Sequence, residues 1–186
     1  MLDQSLAAGT IILQILSAAF LALYFLRSRF TDLESIAAML QRWGLWIGFV
    51  LTLGASAMTL YYSEILGIPP CPLCWWQRIF MYPQVVLFAI ALWKRDMRIA
   101  TYSIALSAFG IVFALYHHIL QMYPSSGLPC PAQGVSCAQI FFLQYGYITY
   151  PMMALSLFAF LIVLMLFVRS ERHDSSLLRY TQAPYL

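Results

Sequence analysis

Charge is scarce in this chain. Only 9% of its 186 residues are charged, against about 25% in an ordinary soluble domain. That shortage excludes a water-soluble globule of this size. The formal net charge of +3 is too small to argue for a nucleic-acid partner. A basic segment before the first apolar run is missing too. That run follows Asp3, it is too long for a signal-peptide core, and its arginines come after it, so it is not a secretory signal peptide. Methionine does not cluster at helical spacing, which removes the argument for a copper pathway. Hydrophobicity fills the space left by charge, at 62% of residues with a mean hydropathy of +0.79. The class is an integral membrane protein, and a single domain is the natural count.

Five apolar stretches can be marked, at 6–26, 45–66, 75–93, 99–120 and 148–168. Each comes close to the roughly 20 residues that a helix needs to cross about 30 Å of hydrocarbon. Backbone groups in lipid must be satisfied within their own segment, so the expectation is an all-α membrane fold. Small residues at Gly44, Gly48, Gly54, Ala55 and Ser56 permit close helix contact along the second stretch.

Orientation follows from the basic residues. Arg27, Arg29 and Arg42 separate the first and second stretches, Lys94, Arg95 and Arg98 the third and fourth, and Arg169, Arg172 and Arg179 follow the fifth. Alternating helices put all three groups on one side, which the positive-inside rule makes the cytoplasm. Nine of the ten basic residues are then cytoplasmic, and the tenth is Arg78. The N-terminus and every cysteine are expected outside.

The four cysteines form two local pairs, Cys71 with Cys74 and Cys130 with Cys137. Four cysteines allow three pairings, and the local one is simplest. Short loops gain little from closure entropy, so local bridges make poor staples and plausible redox couples in a disulfide-permissive compartment. Structural bridges and a four-sulfur metal site remain open beside that reading. Pro69 and Pro70 end the preceding helix. A new helix starting near Cys74 would set that sulfur beside unpaired N–H groups, where a thiolate is favoured. Arg78, four positions on, shares a helical face with Cys74. It either stabilises a negative charge there or snorkels to the interface. Glu64 is either a solvated interface residue or a proton acceptor. Trp75, Trp76 and Tyr82 fit an aromatic belt. The segment 121–147, rich in Pro and Gly, is expected to be a mobile shuttle, and 140–143 either rests in the interface or begins the fifth helix.

The stretches Tyr61-Tyr62-Ser63-Glu64-Ile65 and Pro70-Cys71-Pro72-Leu73-Cys74-Trp75-Trp76-Gln77-Arg78-Ile79-Phe80-Met81-Tyr82-Pro83 resemble the DsbB family of disulfide-forming membrane proteins. Gly134-Val135-Ser136-Cys137-Ala138-Gln139 and Gly146-Tyr147-Ile148-Thr149-Tyr150-Pro151 are similar to its BdbC-type branch. The resemblance covers about Trp43 to Val168. It implies a thiol:quinone oxidoreductase in the bacterial cytoplasmic membrane, which reoxidises a DsbA- or BdbD-like thioredoxin-fold partner and passes electrons to ubiquinone or menaquinone. Carried over by position, Cys130 is the sulfur attacked by the partner and Cys137 its mate. Cys71 exchanges with the loop pair, and Cys74 faces the quinone. Arg78 and His117 match the family's quinone-proximal residues, with an interfacial histidine as the plain alternative for His117 or its neighbour His118.

The N-terminus departs from the resemblance. Family members carry four helices as a rule, so this chain reads as a four-helix transmembrane bundle plus one extra N-terminal transmembrane helix. The expected division is 1–42 for that helix and a cytoplasmic linker, 43–168 for the four-helix domain with its extracytoplasmic cysteines, and 169–186 for a poorly ordered cytoplasmic tail. The linker, with Leu33, Ile36, Ala37 and Leu40, could form a short amphipathic surface helix, and the extra helix reads as a lone anchor.

Overall fold

The computed structural model describes residues 2–26, 32–124, 129 and 135–181. Five helices account for most of them: α1 (Leu2–Leu26), α2 (Asp32–Leu60), α3 (Pro72–Lys94), α4 (Ile99–Met122) and α5 (Tyr150–Thr181). A π-helical turn, Tyr61–Ile65, continues α2. Helices α1, α2, α4 and α5 are long and apolar enough to span a bilayer. Helix α3 has 23 residues, about 35 Å at the usual rise, but Gln77, Arg78 and Gln84 dilute its apolarity. All three are buried. Gln84 is satisfied inside the bundle by Ser103 (2.7 Å) and Ser107 (3.2 Å) of α4.

Helix contacts run α2 to α3, α3 to α4, α4 to α5 and α5 back to α2, which closes a four-membered ring. Helix α5 supplies most of its centre, with Phe158, Leu161, Leu164, Met165 and Phe167 fully buried. Helix α1 stands outside this ring, packs chiefly on α5 and barely touches α2. Two polar ties fix it there. Gln14 donates to Ser156 Oγ at 3.0 Å and accepts from Tyr147 OH at 3.0 Å. A third tie joins its N-terminal end to the π turn, Tyr62 OH donating to Asp3 Oδ1 at 2.6 Å. A lone anchor needs no such bonds, so α1 is docked in a defined register.

Several boundaries differ from the sequence-based expectation. Residues 32–42 are the first turns of α2 rather than a separate surface helix, because Ala37 and Leu40 are buried in the main core. Helix α5 does not stop near Val168 but runs to Thr181. Nothing from 170 to 181 is Gly or Pro, so no residue breaks it. The run 140–143 does not begin α5. It precedes a turn closed by Gln144 and Ile148, whose backbones exchange bonds of 3.0 and 2.9 Å. Phe142 is buried against Ala7 and Ile148, while Ile140, Phe141 and Leu143 stay exposed, as an interface-resting segment requires. Trp75 and Trp76 are exposed as a belt demands, but Tyr82 packs on the core and bonds Thr59 Oγ1 at 2.8 Å.

The small residues divide by position. A Cβ at Gly44 would lie 2.5 Å from Val168 Cγ2, and one at Gly110 would lie 2.6 Å from the Phe158 ring. Gly54 has nothing within 4 Å, so it serves no helix contact. Gly110→Leu is therefore expected to overpack the α4–α5 seam and cost about 1–3 kcal/mol. The check is a lower unfolding temperature for the detergent-solubilised protein.

Candidate redox site

The C-terminal ends of α2 and α4 and the N-terminal ends of α3 and α5 meet around the first cysteine pair. Pro72 occupies the first position of α3, where its fixed φ suits a helix start and its missing N–H costs nothing. This shifts the helix start forward. Cys71, not Cys74, is the N-cap residue, and the Cys74 N–H donates to its Sγ at 3.3 Å. The two Sγ atoms are 2.9 Å apart. As whole residues Cys71 is buried and Cys74 half-buried. The contact with the Cys74 sulfur, and then burial, push the Cys71 thiol up to about 12, against the opposing effect of His117. Cys71 therefore holds its proton across the physiological range.

His117 of α4 joins this pair to the loop. Its Nε2 lies 3.6 Å from Cys71 Sγ and 3.1 Å from the Cys137 carbonyl. The Gln77 amide, as placed, donates to Nδ1 at 3.0 Å, which assigns the ring proton to Nε2 and makes it the donor to Cys137. Gln121, one turn beyond His117, donates to the Gln139 carbonyl at 3.0 Å. The loop segment around Cys137 is thus tied to the end of α4 rather than loose. Cys137 is 1% exposed and shares an apolar cluster with Cys71, Leu73 and Leu120. Cys130 lies outside the described residues. His118 turns away from the cysteines and bonds Thr149 Oγ1 at 3.0 Å.

Arg78 does not snorkel. It is 8% exposed, its Nη2 donates to the Thr59 carbonyl at 2.9 Å, and its guanidinium sits 5.2 Å from the Trp75 ring centroid. No carboxylate pairs with it among the described residues. A buried cation satisfied only by a carbonyl and a ring leaves attraction available for an anion. Glu64 is exposed and accepts from Ser63 at 3.0 Å, as a solvated residue would.

Beside these groups lies a cavity of about 410 Å³. Cys71, Cys74, Arg78, His117, Gln121 and Cys137 all line it. Gln121 is 6% exposed, and its Oε1 has no hydrogen-bond partner. A buried acceptor without a donor costs about 1–3 kcal/mol, which a ligand hydroxyl could offset. The set suits a flat, two-oxygen redox carrier: a half-buried cysteine, an unpaired cation and an open acceptor around one cavity. It also suits a soft metal, since one ligand atom each of Cys71, Cys74 and His117 lies within 4.8 Å of the others.

Residues 41–169 match the family model "Disulfide bond formation protein DsbB". The chain belongs to the DsbB family. Among curated proteins it is 38% identical over 126 residues to the SPbeta prophage-derived disulfide bond formation protein B of Bacillus subtilis, covering 67% of this chain and 85% of that one. It is 34% identical to disulfide bond formation protein C of the same organism, over 70% of this chain and 95% of that one. A probable disulfide formation protein C of Bacillus cereus is 40% identical, over 63% and 81% respectively. No solved structure matches significantly. This DsbB-family chain is thus a multi-pass helical membrane protein of the BdbC-type branch and an oxidoreductase of disulfide formation. The family match begins at residue 41, leaving α1 and the first turns of α2 before it.

Sequence reading missed Gln77, Gln121 and the Thr59 carbonyl. Gln77 lies three positions after Cys74 and Gln121 four after His117. Polar residues at those offsets inside apolar helices were the available signal.

Proposed function

We propose that this protein is an extracytoplasmic protein-dithiol:quinone oxidoreductase. In this reading it reoxidises a thioredoxin-fold partner through Cys130–Cys137 and passes the electrons to a membrane quinone through Cys71–Cys74. The observation that carries it is the single cavity shared by Cys74, the unpaired Arg78 and the unpartnered Gln121 Oε1.

The electron balance is simple. A partner thiolate attacks Cys130, Cys137 leaves, and the partner's second thiol completes its own disulfide. Two electrons and two protons have then moved to the loop pair. Cys137 attacks Cys71 next, and Cys74 leaves as thiolate. Cys130 then closes the loop disulfide, which returns Cys71 to its thiol. His117 holds the Cys137 backbone and touches Cys71, so it keeps that exchange short. The raised Cys71 thiol keeps its proton, so the negative charge falls on Cys74, at the cavity. Arg78, one turn away, supports that charge. A bound quinone would accept two electrons and two protons and restore the Cys71–Cys74 disulfide. Arg78 would donate to a quinone oxygen, Gln121 Oε1 would accept from a hydroxyl of the quinol formed, and His117 lines the same cavity.

Thiol trapping in membranes tests this. Adding a reduced thioredoxin-fold protein should make all four cysteines alkylatable, and adding quinone should reverse that in at least Cys71 and Cys74. An impermeant reagent applied from outside should reach them. Cysteines unchanged by quinone, or reachable only from the cytosol, would end the proposal. A metal reading rests on the Cys71, Cys74 and His117 cluster. Stoichiometric zinc in the purified protein, with thiols silent until a chelator is added, would establish it instead.

A further inference from the structure

The cavity does not end at the cysteines. Its lining continues to Gly9 and Leu13 of α1, to Val50 and Gly54 of α2, and to Leu157 of α5. Leu13 and Val50 lie about ten residues inside the outer ends of their helices, roughly 15 Å deeper than the first turns. The two walls follow helical spacing, Gly9 with Leu13 and Val50 with Gly54, so each helix turns one face to the gap. Helices α1 and α2 both lean on α5 yet barely touch each other, which leaves a cleft floored by α5. Neither glycine is there for packing, because a Cβ at Gly9 or at Gly54 would meet nothing within 4 Å. Val50 lines the cavity and is still 59% exposed, so the cleft opens sideways on the surface that faces lipid. The α1 wall carries Ser5 in its first turn, near the polar end. Deeper in, Thr10 Oγ1 donates to the Leu6 carbonyl at 2.8 Å, so from Gly9 to Leu13 that wall is largely apolar. The cavity thus has a polar end at Cys74, Arg78 and Gln121 and an apolar end between α1 and α2.

We propose that α1 and α2 form a lateral groove that admits the polyisoprenoid tail of the quinone from the bilayer and holds it. This rests on the quinone reading above and adds a role for α1, which lies outside the family match. A head-and-tail ligand fits a cavity with one polar and one apolar end, and two unfilled glycines keep the apolar end wide. Helix α1 is then part of the binding site.

The test is binding rather than turnover. Dissociation constants for a tail-free quinone head group and for one with a long isoprenoid tail are compared in one detergent. Gly9→Phe and Gly54→Phe are expected to lower the affinity advantage of the tail by about five-fold or more, since each ring displaces several buried methylenes. In the unaltered protein, a photoreactive group midway along the tail is expected to label residues 5–13 of α1, a readout that does not depend on either variant folding. Labelling confined to α3 and α4, or an unchanged tail advantage in both variants, would overturn the groove. If the unaltered protein binds neither head group, the quinone reading itself falls and the groove with it.

Discussion

Cys74→Ser is expected to abolish electron delivery to quinone and to trap a bridge between Cys71 and Cys137. Both residues line the cavity, but Cys74 is half-buried and shares a helical face with Arg78, whereas Cys71 is buried and touches His117. Without the Cys74 sulfur, the main cause that holds the Cys71 thiol up is gone. The Cys71 thiolate can then attack Cys137 of the Cys130–Cys137 disulfide, releasing Cys130, but it has no mate to complete the next exchange. Cys71 and Cys137 share one apolar cluster and one histidine, so the trapped species should join those two sulfurs. Non-reducing electrophoresis with peptide mapping reads the bridge, and quinol absorbance reads the loss. Molecules whose Cys130–Cys137 disulfide has not yet been opened by Cys71 should still form a mixed disulfide with the partner. Quinone reduction at the normal rate in this variant would reverse the assignment of roles within the CxxC. A trapped bridge from Cys71 to Cys130 would keep the roles but exchange the order within the loop.

Much of this was legible because the bilayer narrows what a sequence can do. With apolar runs of the right length, helices are the only economical answer, and the five runs became α1 to α5. Ends were less legible. The shift from Cys74 to Cys71 as N-cap follows from Pro72, whose preference for the first helical position is a local signal that outweighs the apolar pattern beginning at Trp75. The start of α2 was hidden because its first turns are amphipathic in sequence but bury Ala37 and Leu40 in the main core cluster, a tertiary burial that periodicity cannot assign. The site itself divides in the same way. Cysteine spacing and the offset of Arg78 are local, so they could be read directly. That Arg78 is buried against Thr59, that His117 rather than His118 faces the sulfurs, and that Gly54 borders a void while Gly110 touches Phe158 all depend on how helices rotate against one another. The same residue type carries opposite meanings at Gly54 and Gly110, and only the neighbours distinguish them.

His117→Leu is expected to slow transfer between the two cysteine pairs while sparing the first reaction with the partner. The imidazole makes three contacts at once, with Gln77, with the Cys137 carbonyl and with Cys71. Leucine fills a comparable volume but leaves the buried Gln77 amide and the Cys137 carbonyl without their partner, at about 1–3 kcal/mol for each such group. If that cost is relieved by the loop moving away, the exchange-competent arrangement becomes the minor one. A loss of 1.4 kcal/mol is about ten-fold, so a ten-fold or greater slowing of loop-to-CxxC transfer is expected in single-turnover quench experiments. His117→Gln retains a donor that can reach the Cys137 carbonyl and should recover part of the rate, which a purely steric role would not produce. Partner oxidation by the loop pair precedes this step and should be nearly unaffected. Equal slowing of both steps would mean that His117 supports the fold of the whole cysteine-bearing end. Slowing of neither would mean that the Cys137 segment reaches Cys71 without being held, and that the bond between His117 and its carbonyl has no part in electron transfer.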